Sequence, residues 1–225
     1  MYRPFESLSL SARCVCVIGS GGKTTLLRRL SERMDGSVIL TTSTRIYPFP
    51  GMPLAAVGES RADALRGIRS ALISSRVVCV GTPLSSGKLG SPAPVVPFED
   101  LLTLADAVIV EADGAAGRPL KAHRPWEPVI PACSELTVCV VGASGLGRPA
   151  FEACHCPELF CKLAGTAPDR PVAEDAVARA LNREALADLY LVNQIDALPD
   201  PERAVSLCEL IQKPAAPCAL MPRAR

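Results

Sequence analysis

Short apolar runs recur along the chain, each closed by a glycine-rich or polar break and followed by a stretch of helical period. Runs at 14–18, 37–42, 77–81, 106–114, 135–143 and 189–196 are too short for core helices and read as buried strands. Between them, apolar positions three and four apart predict helices over 24–34, 61–74, 98–104, 157–163, 172–181 and 202–211. A weaker strand is expected at 55–57, and 216–221 adds a final strand or packs as a tail. Strand-helix alternation of this kind predicts an α/β fold, a mostly parallel sheet with helices on both faces. Residues 82–97 carry four prolines and no helical period, so they are expected as a surface excursion from a single domain spanning 1–225.

Composition narrows the function classes. Apolar residues make up 48% and charged residues 21%, enough for a packed core and against disorder. A net charge of +1 supplies no field for nucleic acid or an anionic membrane surface. No apolar run approaches a membrane span, and residues 1–12 lack the apolar core of a secretory signal, so a cytoplasmic protein is expected. Its ten cysteines are then expected as thiols, with Cys14, Cys16, Cys79 and Cys139 packing as small hydrophobes inside strands.

The first chemical feature follows the first strand. Gly19-Ser20-Gly21-Gly22-Lys23-Thr24-Thr25 joins an apolar run to a helix, the build of a phosphate-binding loop and hence of a P-loop NTPase-like domain. Glycines permit backbone conformations that turn N–H groups inward around an anion, and the helix N-terminus adds positive potential. Lys23 is placed to meet β- and γ-phosphates, and Thr24 to give its hydroxyl to Mg2+. The usual pattern has a further glycine where Val17 stands, so the loop is a short form, similar to that of Mur-type ligases and some metallocentre-assembly NTPases.

Later strand ends carry matching chemistry. The run at 106–114 ends in Glu111 and Asp113, which share a face if the strand is unbroken; either can serve Mg2+ while the other polarises water. Next comes a proline-stiffened segment with Arg118, Lys121, His123, Arg124, Trp126 and Glu127, whose cations can hold an anion or meet charge on a transferring phosphate. At 189–196 an apolar strand runs into Asn193-Gln194-Ile195-Asp196, the Asn-x-x-Asp arrangement that reads guanine in GTP-binding proteins; a strand followed by a capping acid accounts for the same residues. Thr41 to Arg45 ends the second strand with hydroxyls and a cation directed at the phosphate region, or forms a plain polar turn. Cys154, His155, Cys156 and Cys161 offer soft ligands, but their spacing is not a zinc pattern, and metal binding there stays open.

Together the glycine loop, Thr41-Thr42-Ser43-Thr44-Arg45, the block from Glu111 to Ala122 and Glu127-Pro128-Val129-Ile130-Pro131 resemble the YqeC-type selenium-dependent hydroxylase accessory proteins. Trp126 stands where a histidine often precedes the Glu-Pro of that family. The resemblance implies a role in making or inserting the selenium cofactor of molybdenum hydroxylases, with such an enzyme or a selenium donor as partner. The residues themselves lead to a GTP- or ATP-hydrolysing protein. In it Gly19 to Thr25 cradle phosphates, Thr24 and Glu111 hold Mg2+, Lys23, Asp113, Arg118 and Lys121 act in catalysis, and Asn193 and Asp196 read the base. Phosphoryl or nucleotidyl transfer to a small anion, and nucleotide-gated chaperoning without turnover, are the alternatives.

Overall fold

The structure, a computed structural model, describes residues 11–219. Positions 220–221 of the expected last strand or tail, and most of the amino-terminal stretch read as lacking a secretory signal, lie outside the described residues. Strand β1 (Cys14–Gly19) leads into helix α1 (Lys23–Arg33), then β2 (Val38–Thr42), β3 (Arg45–Ile46) and β4 (Leu54–Ala56). Helix α2 (Arg61–Ser74), β5 (Val77–Pro83), β6 (Leu89–Gly90), α3 (Phe98–Leu104) and β7 (Ala107–Glu111) complete the first half. The second half runs β8 (Leu120–Lys121), β9 (Leu136–Gly142), α4 (Ala150–Ala153), β10 (Cys154–His155), α5 (Pro157–Ala164) and α6 (Glu174–Glu184). It ends with β11 (Leu189–Asn193), α7 (Glu202–Leu210) and β12 (Ala215–Pro217).

The central sheet runs β12-β11-β9-β1-β7-β2-β5, with β4 on the far side of β5, and every pairing along it is parallel. Its inner strands β1, β2, β7 and β11 are buried almost throughout on both faces, which is why they read as continuous apolar runs. Crossover direction decides which face each helix covers. From β1 the chain steps outward past β7 to β2 and on to β4, then works back through β5, β7, β9, β11 and β12. Right-handed crossovers therefore place the outward connections on one face and the returning ones on the other. The packing agrees. On one face, Leu26, Leu27 and Leu30 of α1 join Ile46 and Phe49 over Val15, Val17, Leu40 and Ile109. On the other, residues from α2 to α7 cover Cys16, Ile18, Ile39, Val108 and Val110.

Because β1 sends its connection to one face and β9 to the other, their adjacent carboxyl ends form the switch point where α/β sheets open a crevice. The glycine loop sits there.

The proline-rich stretch at 82–97 is less of an excursion than its composition suggests. Strand β5 continues to Pro83, and β6 pairs antiparallel with both β5 and β3. Leu89 and Val96 are buried and pin the segment to the core. No disulfide joins the ten cysteines, and Cys14, Cys16, Cys79 and Cys139 are packed inside the sheet. Among the described residues no helix is long and apolar enough to cross a membrane.

Candidate functional site

The loop's shape is imposed by the strand ends beside it. Gly19, Gly21 and Gly22 have φ of 85°, 84° and 128°, a region that disfavours side chains. Each is also crowded: an added Cβ would fall 2.3 Å from Val140 O at Gly19, from Gly142 Cα at Gly21 and from Asn193 Nδ2 at Gly22. Ser20 is turned inward, its Oγ donating to Pro119 O at 2.8 Å and its N–H to Val140 O at 2.8 Å. Asn193, buried at the end of β11, donates from Nδ2 to Gly21 O at 2.7 Å. The loop is thus braced from β9 and β11 at once.

Beneath it lies a buried charged cluster. Asp113 is fully buried and accepts the Gly19 N–H at 2.8 Å on Oδ2 and Lys23 Nζ at 2.6 Å on Oδ1. Lys121 Nζ is 3.2 Å from Oδ2, and His123 Nε2 is 2.8 Å from it. His123 Nδ1 reaches Glu184 Oε2 at 2.9 Å, and its backbone N–H donates to Glu184 Oε1 at 2.6 Å. Lys121 also pairs with Glu127 at 2.9 Å and donates to Gly114 O. Burial is the strongest influence on Asp113 and would raise its pKa, but the His123 hydrogen bond and the charges of Lys23 and Lys121 overcome it and hold the carboxyl well below its ordinary value. Burial likewise disfavours the imidazolium of His123, yet hydrogen bonds to Asp113 and Glu184 outweigh it and raise its pKa. Each ring nitrogen thus faces a carboxylate oxygen.

Above the loop a cleft of about 730 Å3 opens, lined by Ser20 to Thr24, Glu111, the 114–119 turn and Arg118, with Arg45, Tyr47, Lys88, Arg148 and Gln194 around it. Strand β7 stops at Glu111, so the rule that placed Glu111 and Asp113 on one face of an unbroken strand does not apply. Ala112 N–H still bonds to Val17 O, after which the chain turns Asp113 under the loop and leaves Glu111 on the cleft wall. Among the described residues Glu111 has one ion pair, a long one of 3.8 Å to Lys23, and burial carries its pKa from 4.5 to about 7.

The residues singled out in the sequence therefore divide. Gly21, Gly22, Lys23, Thr24, Glu111 and Arg118 come together on the cleft, and Gly19 and Thr25 flank them in the same turn and helix start. Asp113 and Lys121 do not line it: their charged atoms are taken up in the cluster below, which corrects the expectation that they face a reacting phosphate. Asn193 faces the loop rather than the cleft, and Asp196 is exposed in a short 3-10 turn that does not line it. Arg118 lines the cleft and donates to Glu152 O. Among the described residues no three of His, Cys, Asp and Glu gather to hold a metal; Cys154 lies buried in β10 and Cys161 in α5. The sequence reading missed His123 and Glu184 as partners of Asp113. An isolated histidine in a chain with two was the available signal, and nothing marked Glu184 across 61 residues.

Comparison with known proteins assigns the chain to a family. A family model described as "YqeC protein" matches residues 15–158, which holds the glycine loop, Glu111, Asp113, Lys121 and His123. The chain belongs to the YqeC family. The "Uncharacterized protein YqeC" of Escherichia coli (strain K12) is 31% identical over 163 residues, covering 69% of this chain and 62% of that relative. The chain thus aligns with a little under two thirds of that YqeC protein's length. The family match ends before α6, so Glu184 and Asn193 lie beyond the part that defines YqeC membership.

Proposed function

We propose that this YqeC-family chain is a P-loop NTPase-like protein that binds a Mg2+-nucleoside triphosphate, GTP or ATP, in the cleft and hydrolyses it. The observation that carries the reading is the start of α1. Gly22 caps that helix without a side chain, its first turn holds no acid, and it opens on the cleft beside Lys23. Unpaired N–H groups and the helix dipole then face the space where an anion would sit.

On this reading Lys23 swings from Asp113 to the phosphates, and Asp113 keeps its bonds to Gly19, Lys121 and His123. The donor set on the cleft wall suits Mg2+: the Thr24 hydroxyl and the Glu111 carboxylate are hard oxygen ligands, and Glu111 has no close cationic partner of its own. Bound there, the ion would neutralise charge on the phosphate oxygens. Arg118 lines the same cleft, where it can meet charge on the transferring phosphoryl group. Asp113 and Lys121 support catalysis from below by fixing Gly19 and Lys23. The hydrolysis serves the making or insertion of the selenium cofactor of molybdenum hydroxylases, a role that rests on the resemblance of the glycine loop and the Glu111 to Ala122 block. A molybdenum hydroxylase or a selenium donor is the partner.

The test is Mg2+-dependent phosphate release from GTP and ATP, with and without such a partner, beside Lys23→Ala. Release that depends on Lys23 is expected; no release and no Mg2+-nucleotide binding by calorimetry would overturn the reading. One observation favours a second reading, phosphoryl or nucleotidyl transfer to an anionic acceptor: Arg45, Lys88 and Arg148 line the same cleft without being needed for the triphosphate. A phosphorylated product seen by 31P NMR with candidate acceptors would select it.

A further inference from the structure

Asn193 and Asp196 leave the proposed nucleotide without a base reader. The first is buried and bonded to Gly21 O, and the second does not line the cleft. A different feature of the same cleft fits the task. Tyr47 lines it with 68% of its surface exposed.

This ring stands on a fixed backbone. Ile46 before it is 5% exposed and Phe49 after it 3%, both buried in the core that holds the α1 leucines. The Arg28 guanidinium of α1 lies 5.7 Å from the Phe49 ring centroid and donates to Pro50 O at 2.8 Å, tying the segment to the helix that begins at the glycine loop. Strand β3, ending at Ile46, is paired with β6. Lys88, just before β6, holds its ammonium 4.8 Å from the Tyr47 ring centroid. An aromatic that is exposed while its neighbours are pinned presents a ready surface and gives up little conformational freedom when a flat ligand settles on it.

We propose that Tyr47 is the platform on which the base of the bound nucleotide stacks, on the ring face opposite the one that the Lys88 ammonium covers. The inference rests on the phosphate-binding reading and deepens it. Stacking uses the π-face that every base has, so ATP and GTP are accepted with little discrimination.

The experiment is calorimetric titration of the full chain with Mg2+ complexes of tripolyphosphate, of a non-hydrolysable ATP analogue and of the matching GTP analogue, in wild type, Tyr47→Ala and Tyr47→Trp. In wild type the two nucleotides should bind within about threefold of each other and roughly ten- to a hundredfold more tightly than tripolyphosphate, the span expected for one stacked base. Tyr47→Ala should bring both down to the tripolyphosphate level, and Tyr47→Trp should keep the advantage. Tripolyphosphate binding together with nucleotide affinity unmoved by Tyr47→Ala, or strong preference for one base, would overturn the platform and leave phosphate binding standing. No binding of any of the three would overturn both.

Discussion

His123 Nε2 lies 2.8 Å from Asp113 Oδ2, at a place where the imidazole is 2% exposed and the carboxylate not at all. That contact sets the loop, because the same oxygen accepts the Gly19 N–H. It also keeps Asp113 compensated if Lys23 turns towards a ligand, since His123 and Lys121 remain. Replacing His123 with Ala should lower stability by roughly 2 kcal/mol, the size of a lost hydrogen bond to a charged group, or about 4–8 °C in Tm. The sign of the pH dependence follows from the raised pKa. The stabilisation is fully present below the ordinary histidine value and is lost as pH rises through the folded one. Thermal unfolding of the two proteins should therefore differ more at pH 6 than at pH 9.

Glu111 too has its pKa raised, here by burial. Its folded pKa of about 7 lies above its ordinary 4.5, so its contribution is greatest when protonated and falls as pH rises from 4.5 through 7. Glu111→Gln should be more stable than wild type by about 3 kcal/mol at pH 8, and the difference should close below pH 4.5. Mg2+ binding should show the complement. Wild-type affinity for the Mg2+-nucleotide should rise with pH across 6–8 with proton release, and Glu111→Gln should bind weakly with a flat profile. Chemical denaturation and calorimetry in buffers of different ionisation enthalpy read both.

Asn193 and Asp196 should separate cleanly. Asn193→Ala removes the bond to Gly21 O and should weaken ATP and GTP alike by roughly five- to tenfold, since about 1 kcal/mol of loop bracing is lost. Asp196→Ala should leave both affinities within twofold of wild type. A selective loss of GTP binding in either variant would restore the guanine-reading role.

Gly21→Ala should be severe in stability as well as in binding. The new Cβ would meet backbone of Gly142 at 2.3 Å and 2.6 Å, and φ is 84°. Neither obstacle can be relieved by a side-chain rotation. A loss of roughly 3 kcal/mol or more is expected, about 6–12 °C in Tm.

Most elements were legible because a fully buried parallel strand needs an unbroken apolar run, and α1, α2 and α3 carry clear apolar spacing. The helix expected over 61–74 and that over 98–104 form as α2 and α3 with those limits. The two-residue strands β3, β6, β8 and β10 were not legible, since their pairing comes from tertiary placement rather than from local pattern. The same holds within the site. Glycine, lysine and threonine at 19–25 mark the turn between β1 and α1 through local chemistry. Whether Asp113 faces a cleft or turns under a loop depends on β7 ending two residues earlier, which no spacing reveals. Its partner Glu184 is set by how α6 packs, again beyond local sequence.

The bond from Asn193 to Gly21 spans 172 residues of chain. Vectorial synthesis gives that span a direction in time. The glycine loop leaves the ribosome well before the residues that complete it: its floor waits for Asp113, its wall for β9, and its final brace for the end of β11. A nascent chain halted before residue 193 would carry the whole glycine signature with an unfinished shape. Long-range closure of this kind is slow and leaves strand edges exposed meanwhile. The shape of the loop is therefore a property of a chain that has been made through β11.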